Sequence, residues 1–201
     1  MTYPDHVTVQ TAKPADFSAA AAVLARAFTG DPVITHYWPR LSDQIRRLPR
    51  FFTDLLHQHH RHGHIDLAVA EGQIVGAALW LPPNTSSPDR LTAWARLWLT
   101  CGTRTPIVRR ARRAMNHLHP TEPHWYLSIL GTEPTWHGAG HGRALLAHRH
   151  KTIDYTRHST YLVCTQAATG CFYARAGYRT LNNITIPSGP TVYWMHRPLS
   201  N

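Results

Sequence analysis

Apolar and polar positions change their period several times along this chain, and each change marks an element. His6 to Thr11 alternates as a half-buried strand does, after which Phe17, Ala20, Ala21, Leu24 and Phe28 recur at helical spacing as far as Gly30. Asp31 to Arg40, with Pro32, Tyr37, Trp38 and Pro39, reads as an aromatic loop or short turn, followed by a helix capped near Ser42 and interrupted by Pro49. Ile65, Leu67 and Val69 alternate, Glu71 to Gln73 supplies a turn, and Ile74 to Leu81 is a continuous β-prone run, which together predict a hairpin. Beyond the Pro-, Asn- and Ser-rich stretch from Pro82 to Pro88, two helices follow. The first carries Leu91, Trp94, Trp98 and Cys101 on one face. The second carries Ile107, Val108, Ala111, Met115 and Leu118, with Arg109, Arg110, Arg112 and Arg113 opposite. Pro120 to Pro123 ends helical character.

The C-terminal half reads as a strand over Trp125 to Gly131, a glycine-rich turn, a helix from about Gly138 to Ile153, a strand over Thr160 to Thr165, a short helix near Thr169 to Ala176, and two closing strands. A strand, helix, strand unit predicts parallel neighbours inside a sheet otherwise built from hairpins, so the class is mixed α and β.

Composition narrows the possibilities. The chain has 201 residues, enough for one compact core, and is read as a single domain over 1–201. Hydrophobic content of 43% excludes global disorder. The apolar runs fall far short of the ~18 residues a spanning helix needs, which points to a cytoplasmic protein with no membrane partner. Three cysteines, Cys101, Cys164 and Cys171, form no zinc-knuckle spacing and fit reduced thiols. A net charge of +10 raises nucleic acid as a partner. The arginines scatter, however, and no recognition helix or base-stacking platform is evident, so a basic binding module ranks behind an enzyme; Arg109 to Arg113 reads as a solvated face or an anion site.

The most informative segment is Leu130 to Leu146, LGTEPTWHGAGHGRALL, in which a strand runs into Gly138, Gly140 and Gly142 and a helix starts at once. Glycines let successive N–H groups turn toward one anion, and the helix adds unpaired donors and its positive dipole end, so the ligand should carry phosphates. Gly138 lacks the Lys and Ser/Thr of a P-loop, and GAGHG lacks the dinucleotide spacing. The loop does resemble that of the GNAT acyltransferases. Phe172-Tyr-Ala-Arg-Ala-Gly-Tyr178 resembles the aromatic element that follows it in that family. His119 to Pro134, HPTEPHWYLSILGTEP, with the early AxVLARAF helix and the closing GPTVYWMHRP, resembles the puromycin-acetylating branch.

The resemblance implies a central, mostly antiparallel sheet with a splayed parallel strand pair and flanking helices. It further implies acetyl transfer from acetyl-CoA to a small-molecule amine by direct attack, in a monomer or homodimer. Leu130, Gly131 and Thr132 would contact the pantetheine arm, and Gly138, Ala139, Gly140, His141, Gly142 and Arg143 the pyrophosphate. His137 and Thr169 stand at family positions usually held by other residues. Tyr173 would serve the departing thiolate as proton or hydrogen-bond donor. Asp31, Tyr37 and Trp38 become acceptor-site candidates. The general base stays open among Tyr126, Ser128, Glu133, Asp31, His36, His196 and ordered water. The run His57, His59, His60, His62 and His64 reads as the polar end of a helix and its exit turn, and Trp80, Trp94, Trp98 and Trp194 read as core.

Overall fold

Alternation along the strands sends one set of side chains to each face of a seven-stranded sheet. The computed structural model describes residues 7–85 and 100–199. Its sheet order is β1 (Thr8–Thr11), β2 (His64–Ala70), β3 (Gln73–Leu81), β4 (Trp125–Thr132), β5 (Thr160–Cys164), β7 (Thr191–Arg197), β6 (Arg179–Thr185). All neighbours are antiparallel except β4 and β5. The helices are α1 (Phe17–Phe28), α2 (Pro32–Tyr37), α3 (Leu41–His62), α4 (Thr105–Asn116), α5 (His141–Tyr155) and α6 (Ala167–Arg175). The face expected at Leu91, Trp94 and Trp98 lies outside the described residues.

Two cores follow from the alternation. Ile65 and Leu67 of β2 join Leu24, Phe52 and Leu56 beneath α1 and α3. Ala68 and Ala70 of the same strand join Leu145, Leu146 and Ile153 of α5 on the other face. That second core also holds a charge pair. Asp66 is fully buried, and Arg149 of α5 donates Nε–H to its Oδ2 at 2.9 Å and Nη2–H to its Oδ1, tying the helix to the sheet.

Two expectations are corrected. The loop expected at Asp31 to Arg40 contains α2, because the Asp31 carboxylate accepts the N–H groups of Val33 and Ile34, and Pro32 sits where a helix needs no N–H. Pro49 does not interrupt α3. Its ring removes the N–H that would bond the Ile45 carbonyl, but Ile45 lies on the exposed face, where water can take the freed oxygen.

Candidate active site

The one parallel pair among the described strands is short. β4 and β5 pair at Trp125/Thr160, Tyr126/Tyr161 and Leu127/Leu162, and no pairing continues from Ser128 onward. At the same point the β3 register jumps from Leu79/Ile129 to Trp80/Leu127, so Ser128 is skipped. Such a bulge bends a strand, and here it coincides with the departure of β4 from β5. Into the opening runs a cavity of about 1340 Å3. Leu130, Gly131 and Thr132 line it, leaving the edge of β4 that faces β5 with backbone groups an extended amide chain can use. Gly131 has a packing reason as well, since a Cβ there would stand 3.0 Å from atoms of Leu24, Ala27 and Phe28.

At one end the cavity meets the start of α5. Gly138 and Gly140 both take φ of +85°, a conformation costly for any residue with a Cβ, and Gly140 is the N-cap. The first helical bond runs from Ala144 N–H to Gly140 O, so the N–H groups of His141, Gly142 and Arg143 precede the ladder. Arg143 and Arg175 also line the cavity. The donor set at the start of α5 fits a pyrophosphate: three backbone donors and a helix dipole. Ala139 is a correction. Its N–H bonds back to Trp136 O at 3.2 Å and it does not line the cavity, because a turn consumes its donor. His137 lines the cavity although its N–H is engaged by Pro134 O. Thr169 lines it too, its hydroxyl donating to Gln166 O.

The other lobe is aromatic. Phe28, Tyr37, Phe51 and Phe52 wall it from α1, α2 and α3, and Tyr126 and His119 from the sheet side. Burial pushes the Tyr37 phenol well above the ordinary range. Trp38, expected here, is not on the wall: it is 1% exposed and packs edge-on against Tyr37 and Phe51, because the turn after α2 points it into the core. Asp31 borders the cavity with its carboxylate engaged by the α2 N–H groups and by the Thr165 hydroxyl at the end of β5, so it clamps the lobe to the sheet. Trp80 and Trp194 are buried, as read.

Tyr173 lines the cavity from α6, its ring edge-on to Phe172 and Tyr178. Burial, then Cys164, Asp31 and Tyr126, raise its phenol far above the ordinary value, so it stays protonated at any working pH. The candidate bases separate by their surroundings. Glu133 is held bidentate by Arg26 at 2.7–3.0 Å. His36 packs against Gly189, His196 stacks on Tyr161 at 4.5 Å, and neither lines the cavity. Tyr126 is pushed up to about 12 by burial and is no base near neutrality. Ser128 remains, and it is bonded to His59.

His59 was not singled out by the sequence, which offered it only within a histidine run. The structure scatters that run: His57 and His60 meet Phe17, His64 lies over Trp125, and only His59 turns inward, at 4% exposure. A usable signal existed, since Leu48, Phe52, Leu56 and His59 keep one helical stripe. Among the described residues no group of His, Cys, Asp and Glu has a metal-holding arrangement.

A sheet splayed at one parallel pair, with a helix N-terminus at the mouth of the splay, suits an extended phosphate-bearing ligand and is the architecture of an acyltransferase class. No family model matches the chain. Among solved structures, a Corynebacterium glutamicum protein described as histone acetyltransferase HPA2 and related acetyltransferase is 30% identical, with 97% of each chain covered and a TM-score of 0.77. The polyamine N-acetyltransferase of Drosophila melanogaster, at 15% identity, 96% and 100% coverage and TM-score 0.67, shares the fold. So does arylalkylamine N-acetyltransferase 2 of Aedes aegypti, at 13%, 98% and 100%, and 0.71. The chain belongs to the GNAT acetyltransferases, and acetyl-CoA is its acyl donor.

Proposed function

We propose that the 201 residues form one acetyltransferase domain that moves acetyl from acetyl-CoA, in the cytoplasm, to the primary amine of a small molecule with an aromatic or apolar body. An antibiotic, an aminonucleoside or a natural-product or peptide amine fits that description. The observation that carries this reading is the continuity of one cavity from the α5 cradle to the aromatic lobe, with Tyr173 on its wall. In this reading Leu130, Gly131 and Thr132 hold the pantetheine arm, and His141, Gly142 and Arg143 the pyrophosphate. Tyr173 faces the departing sulfur. The amine lone pair attacks the thioester carbon directly, without a covalent enzyme intermediate.

Arg112 favours some amines over others. It lines the aromatic lobe from α4 and has no ion-pair partner among the described residues, so a second positive charge on the acceptor is repelled there. Aromatic monoamines and aminonucleosides such as puromycin, whose acetylating enzymes the segment from His119 to Pro134 resembles, are therefore favoured over polyamines. Thiol release measured across puromycin, other aminonucleosides, arylalkylamines, peptides and polyamines tests this. Turnover of aromatic amines at least tenfold above polyamines is expected; no thiol release with any amine overturns the reading.

The cradle has its own test. Gly140→Ala puts a Cβ on a residue at φ +85°, at a cost of roughly 1–2 kcal/mol, so the loop leaves the geometry that aims its donors. The KM for acetyl-CoA should rise about tenfold with kcat little changed, as read by thiol release at saturating acceptor.

A further inference from the structure

We propose that Ser128 and His59 are the proton relay of this enzyme: Ser128 touches the acceptor nitrogen and His59 takes the proton. The proposal deepens the acetyl-transfer reading above and rests on it.

Tautomer and direction follow from geometry. His59 Nδ1 lies 2.9 Å from the Leu55 carbonyl oxygen, and a carbonyl only accepts, so Nδ1 carries the hydrogen. In neutral imidazole the other nitrogen is then bare. His59 Nε2 lies 2.9 Å from Ser128 Oγ, so the serine hydroxyl donates to it. With its proton turned toward His59, the serine oxygen keeps its lone pairs for the cavity, which both residues line. Ser128 reaches this position because the β4 bulge skips it, at the residue where β4 leaves β5. The oxygen therefore stands where the strand gap that takes the acyl donor meets the aromatic lobe that takes the amine.

The groups packed around the ring set its charge. Burial pushes His59 down to about 4; the Leu55 carbonyl works against that, while Arg112 of α4 and His62 of α3 add to it. The ring is consequently in its base form at every working pH. Two acceptors already aim at its nitrogens, Leu55 O at Nδ1 and Ser128 Oγ at Nε2, so an imidazolium formed for the duration of transfer finds both of its N–H groups bonded.

The step balances. The neutral amine attacks the thioester carbon, forming the C–N bond and placing a positive charge on nitrogen. That nitrogen loses a proton to Ser128 Oγ as the serine proton passes to His59 Nε2. Collapse of the adduct breaks the C–S bond while the Tyr173 O–H hydrogen-bonds the departing thiolate. His59 then passes its proton, by way of Ser128 and cavity water, to that thiolate, and amide and CoA leave.

A buried histidine that merely satisfies its hydrogen bonds would give the same static picture, so the test must read proton transfer. Ser128→Ala should lower kcat about 10²-fold with unchanged KM for acetyl-CoA. His59→Gln should match it, and the double variant should lose no more than either single one, because one relay is broken once. His59→Ala should recover rate on addition of imidazole. Ser128→Ala within threefold of wild type, or additive losses in the double variant, overturns the relay. An acceptor-independent arm uses 15N-histidine NMR of the unliganded protein. A protonated Nδ1 and bare Nε2 on His59 from pH 5 to 8, shifted by Ser128→Ala, support the relay; a protonated Nε2 overturns it whatever the enzyme acetylates. A wild-type enzyme that releases no thiol with any amine defeats the functional reading instead.

Discussion

Replacing Tyr173 by phenylalanine should lower kcat by about 10²-fold and leave the KM for acetyl-CoA within about threefold. Phenylalanine keeps the ring that packs against Phe172 and Tyr178 and deletes only the O–H. The phenol is held protonated by burial and by the acidic groups near it, so at neutral pH it offers a hydrogen bond rather than a charge. That suits a thiolate developing on the sulfur of CoA. A thiolate, with a thiol pKa of about 8.5, is a fair leaving group in water, so turnover should slow rather than stop. Steady-state thiol release with saturating acceptor is the measurement; an unchanged kcat would remove Tyr173 from the chemistry and leave the binding of acetyl-CoA untouched. Together with the Ser128 and His59 variants it separates the two ends of the proton path.

Asp66→Ala should cost roughly 3–5 kcal/mol of folding stability. The loss comes from the partner left behind. Arg149 is 7% exposed, and without Asp66 its guanidinium has the Trp125 ring, 5.9 Å away, and little else to answer its charge. A cation–π contact of that kind is worth about 0.5–2 kcal/mol, well below the cost of an uncompensated buried charge. Replacing both partners, Asp66→Leu with Arg149→Met, should recover most of the loss, since apolar side chains of similar size need no compensation. Urea unfolding of the two variants reads the difference directly. A loss below about 1 kcal/mol in the single variant, the range of a surface pair, would mean that the carboxylate reaches solvent.

The elements that the sequence revealed best are those whose signal is local. α1 repeats its apolar positions every three or four residues between Phe17 and Phe28, and the alternation of β2 and the continuous β-prone run of β3 are separated by the turn at Glu71 to Gln73; both elements form where their patterns place them. Where expectation missed, a longer-range term decided. Asp31 and Pro32 carry a helix-start signal that the aromatic residues after them obscured, and the same Asp31 carboxylate is also held by Thr165, 134 residues away. Trp38 looked like a pocket residue because of its neighbours in sequence, yet a large ring at the end of a short helix goes wherever apolar contacts are densest, and that is the core around Tyr37 and Phe51.

The same division holds within the site. The cradle at Gly138 and Gly140 was legible because its requirement is a backbone conformation that only glycine adopts cheaply, a property written into single residues. The place of Tyr173 on the cavity wall was legible through the motif around it. The relay was not, since His59 and Ser128 lie 69 residues apart and acquire their relation only when a bulge in β4 turns the serine toward α3. By itself the sequence determined the periodicities, the glycine-rich turn ahead of α5 and the family resemblance, because each is carried by neighbouring residues. The tertiary structure alone decided which carboxylates are tied up, which tryptophans are core and which histidine turns toward the cavity, because hydrogen bonding, burial and charge state depend on what the fold brings together.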